Sequence, residues 1–246
     1  MESQIYEVFN YALITALATG LGALPFAFTR SFPRTWLGIG NAVAAGLMLA
    51  ASFGLIYEGT GYSLTRTVIG TVVGLAFIVW SHRFLERYED VGIGNLNGLD
   101  ARKALLIVGV MTLHSFAEGV GVGVSFGGGM AFGLFITIAI AAHNIPEGLA
   151  ISLVLVPRGV PWWKAALWSV FSSLPQPLMA VPAFLFVEWF QPVLPAGLGF
   201  AAGAMIWMAF SELVPDALED AEASAVATAV VLASISMAAF QVLIGG

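Results

Sequence analysis

Apolar blocks about twenty residues long make up most of the chain, and short linkers containing glycine, proline or charged residues separate them. A helix of that length crosses a hydrocarbon core roughly 30 Å thick. Only 10% of the residues are charged, whereas a soluble domain carries roughly a quarter. We therefore predict an all-α polytopic membrane protein in contact with the lipid bilayer, because helices satisfy their own backbone hydrogen bonds there.

The linkers divide the chain into eight predicted spans within a single transmembrane domain, 1–246. We place the spans at roughly 7–28, 36–57, 65–84, 103–126, 130–156, 162–186, 194–217 and 225–244. The first residues carry Glu2 and Glu7 instead of a basic segment. We therefore expect the first block to be a retained span and not a signal peptide.

Basic residues predict how the spans are oriented. Eight of the nine lie in alternate linkers: Arg30, Arg34, Arg83, Arg87, Arg102, Lys103, Arg158 and Lys164. Arg66 alone lies on the other side. Because positively charged loops stay in the cytoplasm, we expect both termini outside, the 85–102 loop in the cytoplasm, and a multi-pass location in the cell (inner) membrane.

The composition also excludes several classes of site. Cysteine is absent, so disulfides, thiolate metal sites and cysteine nucleophiles are excluded. The sequence has no stripe of basic residues, so it gives no sign of a nucleic acid partner. A metal ion would therefore be held by nitrogen, oxygen or thioether ligands.

Two copies of one polar signature interrupt the fourth and fifth blocks, at 114–119 (His-Ser-x-x-Glu-Gly) and 143–148 (His-Asn-x-x-Glu-Gly). Ionisable residues inside a membrane are costly and usually functional. Positions i, i+1 and i+4 share one face of a helix, and a short turn should make the two helices antiparallel neighbours. The converging imidazoles, carboxylates, hydroxyl and amide would suit Zn²⁺, Fe²⁺, Mn²⁺, Co²⁺ or Cd²⁺.

Similar segments also occur in oppositely directed spans. Ala-Ala-Gly-x-Met occurs at 44–48 and again at 201–205, and the polar signature occurs in spans four and five. This pattern predicts inverted repeats of the kind found in transporters, with the site near the membrane midplane. Simple close packing of helices is an equally good explanation of the small residues.

Other polar positions are weaker candidates. Pro146 would free the carbonyl of Ala142 beside His143, or merely kink the helix. His82 is expected at the cytoplasmic membrane interface, with a metal-relay role less favoured. Candidate accessory residues of a metal pathway are Met48, Gln176, Glu212 and Asp216. The alternative explanations for these residues are helix packing and solvated helix ends.

Several of these motifs together resemble those of a known protein family. Segments 113–119 and 143–150, supported by Ala-Ala-Gly-x-Met at 44–48, Pro-Gln-Pro at 175–177 and the segment 199–215, resemble a bacterial-type member of the ZIP (ZRT/IRT-like protein) family of divalent metal transporters. The resemblance implies eight transmembrane helices in a 3+2+3 arrangement and metal transport toward the cytoplasm. It also implies that metal, often as two adjacent ions, is held between helices four and five, with Met48 near the outer entrance. The implied ligands are His114, Ser115, Glu118, His143, Asn144 and Glu147.

Three departures from the family pattern affect this reading. Ser115 and Ala117 stand where many members have Asn and Pro. Gln176 is neutral where a glutamate is common, which leaves one or two bound ions open. The cytoplasmic loop lacks a histidine cluster, so metal handover through such a cluster is not expected.

We therefore predict uptake of a divalent cation by alternating access, with Zn²⁺ as the first candidate. The metal is the transported substrate, no cofactor is expected and the protein is not an enzyme. Because such ligands must deprotonate to bind metal, uptake should weaken at low pH. An intramembrane metal-dependent hydrolase, a cation channel and an exporter are the alternatives. A homodimer is compatible with the sequence.

Overall fold

The structure is a computed structural model that describes residues 2–29, 33–86, 112, 115–156 and 159–245. The first part of the predicted span 103–126 (103–111, 113 and 114) and nearly all of the 85–102 loop lie outside these residues. The described part is helical and contains no strand, as the sequence predicted. Its α-helices are α1 Glu2–Leu21, α2 Arg34–Glu86, α3 115–127, α4 Met130–Leu155, α5 Trp162–Ser173, α6 Pro175–Trp189, α7 Leu194–Met208, α8 Val214–Asp220 and α9 Ala223–Gly245.

Shorter helical segments complete the described elements. Leu24–Ala27 and Gln191–Val193 are 3-10 turns, and Ala209–Leu213 is a π-helical segment between α7 and α8. Five helical stretches are long and apolar enough to cross a membrane. They are Arg34–Arg83, Met130–Ser152, Trp162–Trp189, Gln191–Asp220 and Ala223–Leu243.

A kink at Ser63 divides α2 into two arms. Ser63 has an extended backbone, with φ −166° and ψ 108°, so the helix stops there and begins again. The Ser63 hydroxyl accepts a hydrogen bond from the backbone N–H of Arg66 at 3.5 Å. This is the role of a helix N-cap residue, and it explains why the second arm of α2 begins at this position.

The first bundle consists of α2, α7, α8 and α9, in which α2 contacts each of the other three helices. Small residues make these contacts, because a side chain at the helix crossing would hold the backbones apart. Gly70 and Gly74 of the second arm of α2 lie directly against the backbone of α7 at Ala196 and Phe200. In the first arm of α2, Gly46 lies against α9, where the Ser234 hydroxyl donates to its carbonyl at 3.0 Å.

The second bundle consists of α1, α3, α4, α5 and α6. The helix α1 contacts α4, α5 and α6, using a stripe of small and hydroxyl side chains at Ala12, Thr15, Ala16 and Thr19 that are all buried. The Thr19 and Ser173 hydroxyls hydrogen-bond at 2.8 Å. The two bundles meet where α4 packs on α2, and their buried apolar side chains form one continuous core.

Candidate metal site

Three titratable side chains from α3 and α4 meet in the interior. Nε2 of His143 lies 2.5 Å from Oε1 of Glu118 and 3.9 Å from Oε1 of Glu147. One ligand atom from each residue lies within 4.8 Å of the other two. All three residues are at most 1% exposed. The fold therefore brings two carboxylates and one imidazole together in an apolar interior.

The local chain path explains why these residues meet. His143 and Glu147 are one helical turn apart, so both project from the same face of α4. A short turn after residue 127 joins α3 to α4, and Gly129 in that turn has φ 116°. Residues other than glycine rarely adopt this conformation, so Gly129 permits the tight reversal that brings Glu118 to His143.

Glycines that follow the two glutamates allow neighbouring helices to come close. A Cβ atom on Gly119 would lie 2.6 Å from the backbone oxygen of Gln176 and 2.8 Å from its Cα. A Cβ atom on Gly148 would overlap the backbone oxygen of Thr19 in α1. The glycine beside each glutamate therefore lets the backbone of another helix lie directly against the backbone of α3 or α4.

Gln176 connects the site to α1 and α6. Its Nε2 donates to Oε2 of Glu118 at 2.5 Å. Its Oε1 accepts from the Thr15 hydroxyl at 2.5 Å and from Nδ2 of Asn144 at 3.1 Å. Nδ2 of Asn144 also donates to the backbone oxygen of Thr15 at 2.8 Å. Side chains from four helices thus form one buried hydrogen-bond network.

The hydrogen bonds of Gln176 set the direction of both amides. Its NH₂ group faces Glu118, because the carboxylate oxygen accepts this bond, and its carbonyl faces Asn144. Asn144 then presents its own NH₂ group to that carbonyl, and its Oδ1 turns away. Oδ1 of Asn144 is buried without a hydrogen-bond donor among the described residues.

The other predicted site residues have varied positions. His114 lies outside the described residues. Ser115 is 1% exposed, at the first described turn of α3, and its hydroxyl finds no partner in the described part of the chain. Met48 is fully buried in the central apolar core.

One end of the first bundle holds the remaining candidates. Nε2 of His82 lies 3.8 Å from Oε1 of Glu212, and the His82 ring contacts the edge of Trp207 with ring centroids 5.2 Å apart. Glu212 belongs to the π-helical segment and Asp216 to α8. The π-helical segment ends two residues before Pro215, which removes one helical hydrogen bond. These residues are separate from the Glu118–His143–Glu147 cluster.

Sequence analysis missed Thr15, whose hydroxyl and carbonyl both join the network. The available signal was the stripe of small and hydroxyl side chains at helical spacing in α1, which is typical of a helix contact. That signal identifies a buried face but not the neighbour that it contacts. Gln176 was predicted as an accessory residue, and the structure brings it into contact with Glu118.

The donor set is suited to a divalent cation. Imidazole nitrogen and carboxylate oxygen bind Zn²⁺ at about 2.0–2.2 Å. An ion that replaced the contact between His143 and Glu118 would neutralise two carboxylates that otherwise carry a net charge of about −2 in an apolar interior. Buried charge of this kind is costly unless it is paired or coordinates a metal.

Comparisons with known proteins agree with this chemistry. A profile of the family described as ZIP Zinc transporter matches residues 86–242. A putative zinc transporter of Arabidopsis thaliana is 51% identical over 236 residues, which are 95% of this chain and 38% of the relative. This chain thus spans 38% of the length of that relative.

Two bacterial relatives are matched over more of their own length. Zinc transporter GufA of Myxococcus xanthus is 32% identical over 83% of this chain and 86% of the relative. Zinc transporter ZIPB of Bordetella bronchiseptica is 31% identical over 81% of this chain and 69% of the relative. The residues matched by the family profile include Glu118, His143 and Glu147.

Proposed function

The chain belongs to the ZIP zinc transporter family, and we propose that it carries divalent metal cations across a membrane into the cytoplasm. Zn²⁺ is the first candidate substrate, because the relatives are named zinc transporters. The observation that carries the proposal is the buried cluster of Glu118, His143 and Glu147 inside apolar helices. The metal is the transported substrate and not a cofactor.

The proposed ligands come from the neighbouring helices α3 and α4. Glu118, His143 and Glu147 supply the charged and imidazole ligands, and the Ser115 hydroxyl and Oδ1 of Asn144 supply neutral oxygens. Their lack of donors within the described structure supports this role. His114 completes the proposed set, which is Ser115, Glu118, His143, Asn144, Glu147 and His114.

Proton exchange would accompany metal binding. Nε2 of His143 and Oε1 of Glu118 are 2.5 Å apart, so a hydrogen-bond proton lies between them when no ion is bound. Two ligands of one tetrahedral ion at about 2.1 Å would be about 3.4 Å apart. The ion would therefore displace that proton and widen the gap between the side chains, in agreement with the general requirement that metal ligands deprotonate.

For the membrane topology we propose eight spans in a 3+2+3 arrangement with inverted repeats and both termini outside. The apolar stretch Arg34–Arg83 contains 50 helical residues, which are about 75 Å long at 1.5 Å per residue. This length exceeds twice the hydrocarbon core of about 30 Å, and the kink at Ser63 falls between its halves. Both observations support two spans in α2.

We propose that the two bundles move against each other during alternating access. The proposed ligands that the structure describes belong, with Gln176, to the second bundle, whereas α2, α7, α8 and α9 form the first. Met48 lies in the first bundle on the proposed outer side of the pathway. Glu212 and Asp216 lie at its inner end, where a released ion would leave.

Transport is favoured over an intramembrane metal-dependent hydrolase because the matched relatives are named transporters. A channel or an exporter would use similar ligands, and the direction and counter-ion dependence of flux distinguish them from the proposed carrier.

The test is uptake of radioactive Zn²⁺ into proteoliposomes. A His143→Ala/Glu147→Ala double variant should lose uptake, whereas Glu222→Ala, which removes an exposed carboxylate between α8 and α9, should retain it. Zn²⁺ uptake by the folded double variant equal to that of the parent would refute the proposal.

A further inference from the structure

We infer that the site holds one divalent cation at a time, and that Gln176 is the residue that limits it to one. The inference rests on the proposed function, because it concerns the occupancy of the same site. Two features of the described residues carry it: the number of available negative charges, and the way in which Gln176 uses one oxygen of Glu118.

The charges of the described site residues match a single dication. Glu118 and Glu147 are the carboxylates, whereas Asn144 and Gln176 are neutral amides in the same network. One dication bound by two carboxylates gives a neutral cluster. A second dication would leave a charge of about +2 in an interior where each of these side chains is at most 1% exposed. An uncompensated buried charge is strongly unfavourable.

The geometry leads to the same conclusion. A carboxylate that bridges two ions offers one oxygen to each. In this structure Oε1 of Glu118 faces His143, and Oε2 already accepts a hydrogen bond from Gln176 at 2.5 Å. Gln176 carries NH₂ at that position, and a cation cannot bind to a donor group. The amide therefore occupies the side of Glu118 from which a second ion would bind.

The remaining bonds hold Gln176 in this orientation. Its carbonyl oxygen accepts from Thr15 and from Asn144. Rotation of the amide by 180° would turn its carbonyl toward Oε2 of Glu118 and its NH₂ group toward that of Asn144, so the hydrogen bonds to Glu118 and Asn144 would be lost. Gln176 is thus a positioning residue that links α6 to α1, α3 and α4 and directs Oε1 of Glu118 toward the ion.

The experiment counts bound metal. Purified protein is saturated with Zn²⁺ alone, desalted and measured by mass spectrometry of zinc against protein. Ions that remain on the His143→Ala/Glu147→Ala variant are subtracted, which removes surface sites from the count. The parent should bind one ion at the site. Gln176→Glu, which supplies a third carboxylate and no NH₂ group, should bind two.

Two further variants make the test specific. Gln176→Asp also replaces the amide with a carboxylate and should likewise raise the count to two, so a fold defect in one variant does not decide the outcome. Gln191→Glu makes the same chemical change in the exposed 3-10 turn before α7, and its count should stay at one.

The possible results separate the inference from the proposed function. Two ions on the parent, or one ion on both folded acidic variants, would overturn the inference and leave metal transport standing. No ion on the parent at saturating Zn²⁺ would refute the metal site itself, and the inference with it.

Discussion

Replacing Gly119 with alanine should push α3 away from α6 at the point where Glu118 meets Gln176. The added Cβ would lie 2.6 Å from the backbone oxygen of Gln176, and ordinary van der Waals contact begins at 3.4 Å. The helices must therefore separate by about 0.8 Å, because backbone atoms cannot rotate aside as a side chain can. The same shift would lengthen the hydrogen bond between Glu118 and Gln176 from 2.5 Å to about 3.3 Å, beyond the usual limit.

The energetic cost follows from these two effects. Overpacking costs about 1–3 kcal/mol, and loss of a hydrogen bond to a charged group costs about 1.5–3 kcal/mol. The better helix propensity of alanine returns about 1 kcal/mol. We expect a net loss of about 1.5–5 kcal/mol in the free energy of unfolding and at least tenfold weaker Zn²⁺ binding.

Thermal unfolding in detergent and Zn²⁺ titration measure these effects. Gly121→Ala is the matched control in the same helix, because among the described residues its Cβ would meet only the side chains of Ala201 at 3.3 Å and Met205 at 3.9 Å. It should change the stability by less than about 1 kcal/mol. If Gly119→Ala kept the stability and the Zn²⁺ affinity of Gly121→Ala, the close approach of α3 and α6 could not be what positions Glu118.

Three further predictions follow from the network, the kink and the topology. Thr15→Val should weaken Zn²⁺ binding about tenfold, since one buried hydrogen bond is worth about 0.5–1.5 kcal/mol. Thr15→Ser keeps the hydroxyl and should bind Zn²⁺ normally in the same titration. Equal affinities of the two variants would show that Thr15 does not contribute to the site. Ser63→Ala should lower the free energy of unfolding by about 1 kcal/mol through loss of the N-cap, measured by chemical or thermal denaturation; an unchanged stability would contradict the capping role. The chain contains no cysteine, so a single introduced cysteine reports its own side of the membrane. Gly61→Cys should react with an impermeant maleimide from outside, and Glu222→Cys only from the cytoplasmic side. The reverse pattern would contradict the proposed topology.

Much of the helical structure could be predicted from the sequence, because apolar length and linkers are local properties. The sequence also identified Glu118, His143 and Glu147 as one group, since i, i+4 spacing and a short turn restrict where two neighbouring helices can meet. The structure places these three side chains together.

Contacts with distant helices could not be predicted in the same way. Thr15 and Gln176 are 161 residues apart in sequence, and the stripe of small residues in α1 indicates a contact without indicating the partner. The kink at Ser63 was predicted only as a linker between two spans, because the sequence does not show that both arms belong to one helical stretch. The role of Gln176 depends on the direction of its amide, which Glu118 determines across the helix interface.

The most direct test of the account is to locate the metal by anomalous X-ray scattering from crystals grown with Zn²⁺ or Cd²⁺. The account predicts an anomalous peak between α3 and α4, with ligand atoms of Glu118, His143 and Glu147 at about 2.0–2.3 Å for Zn²⁺. The result that would contradict the account is a metal-saturated crystal in which His143 and Glu118 still hydrogen-bond to each other and every anomalous peak lies elsewhere.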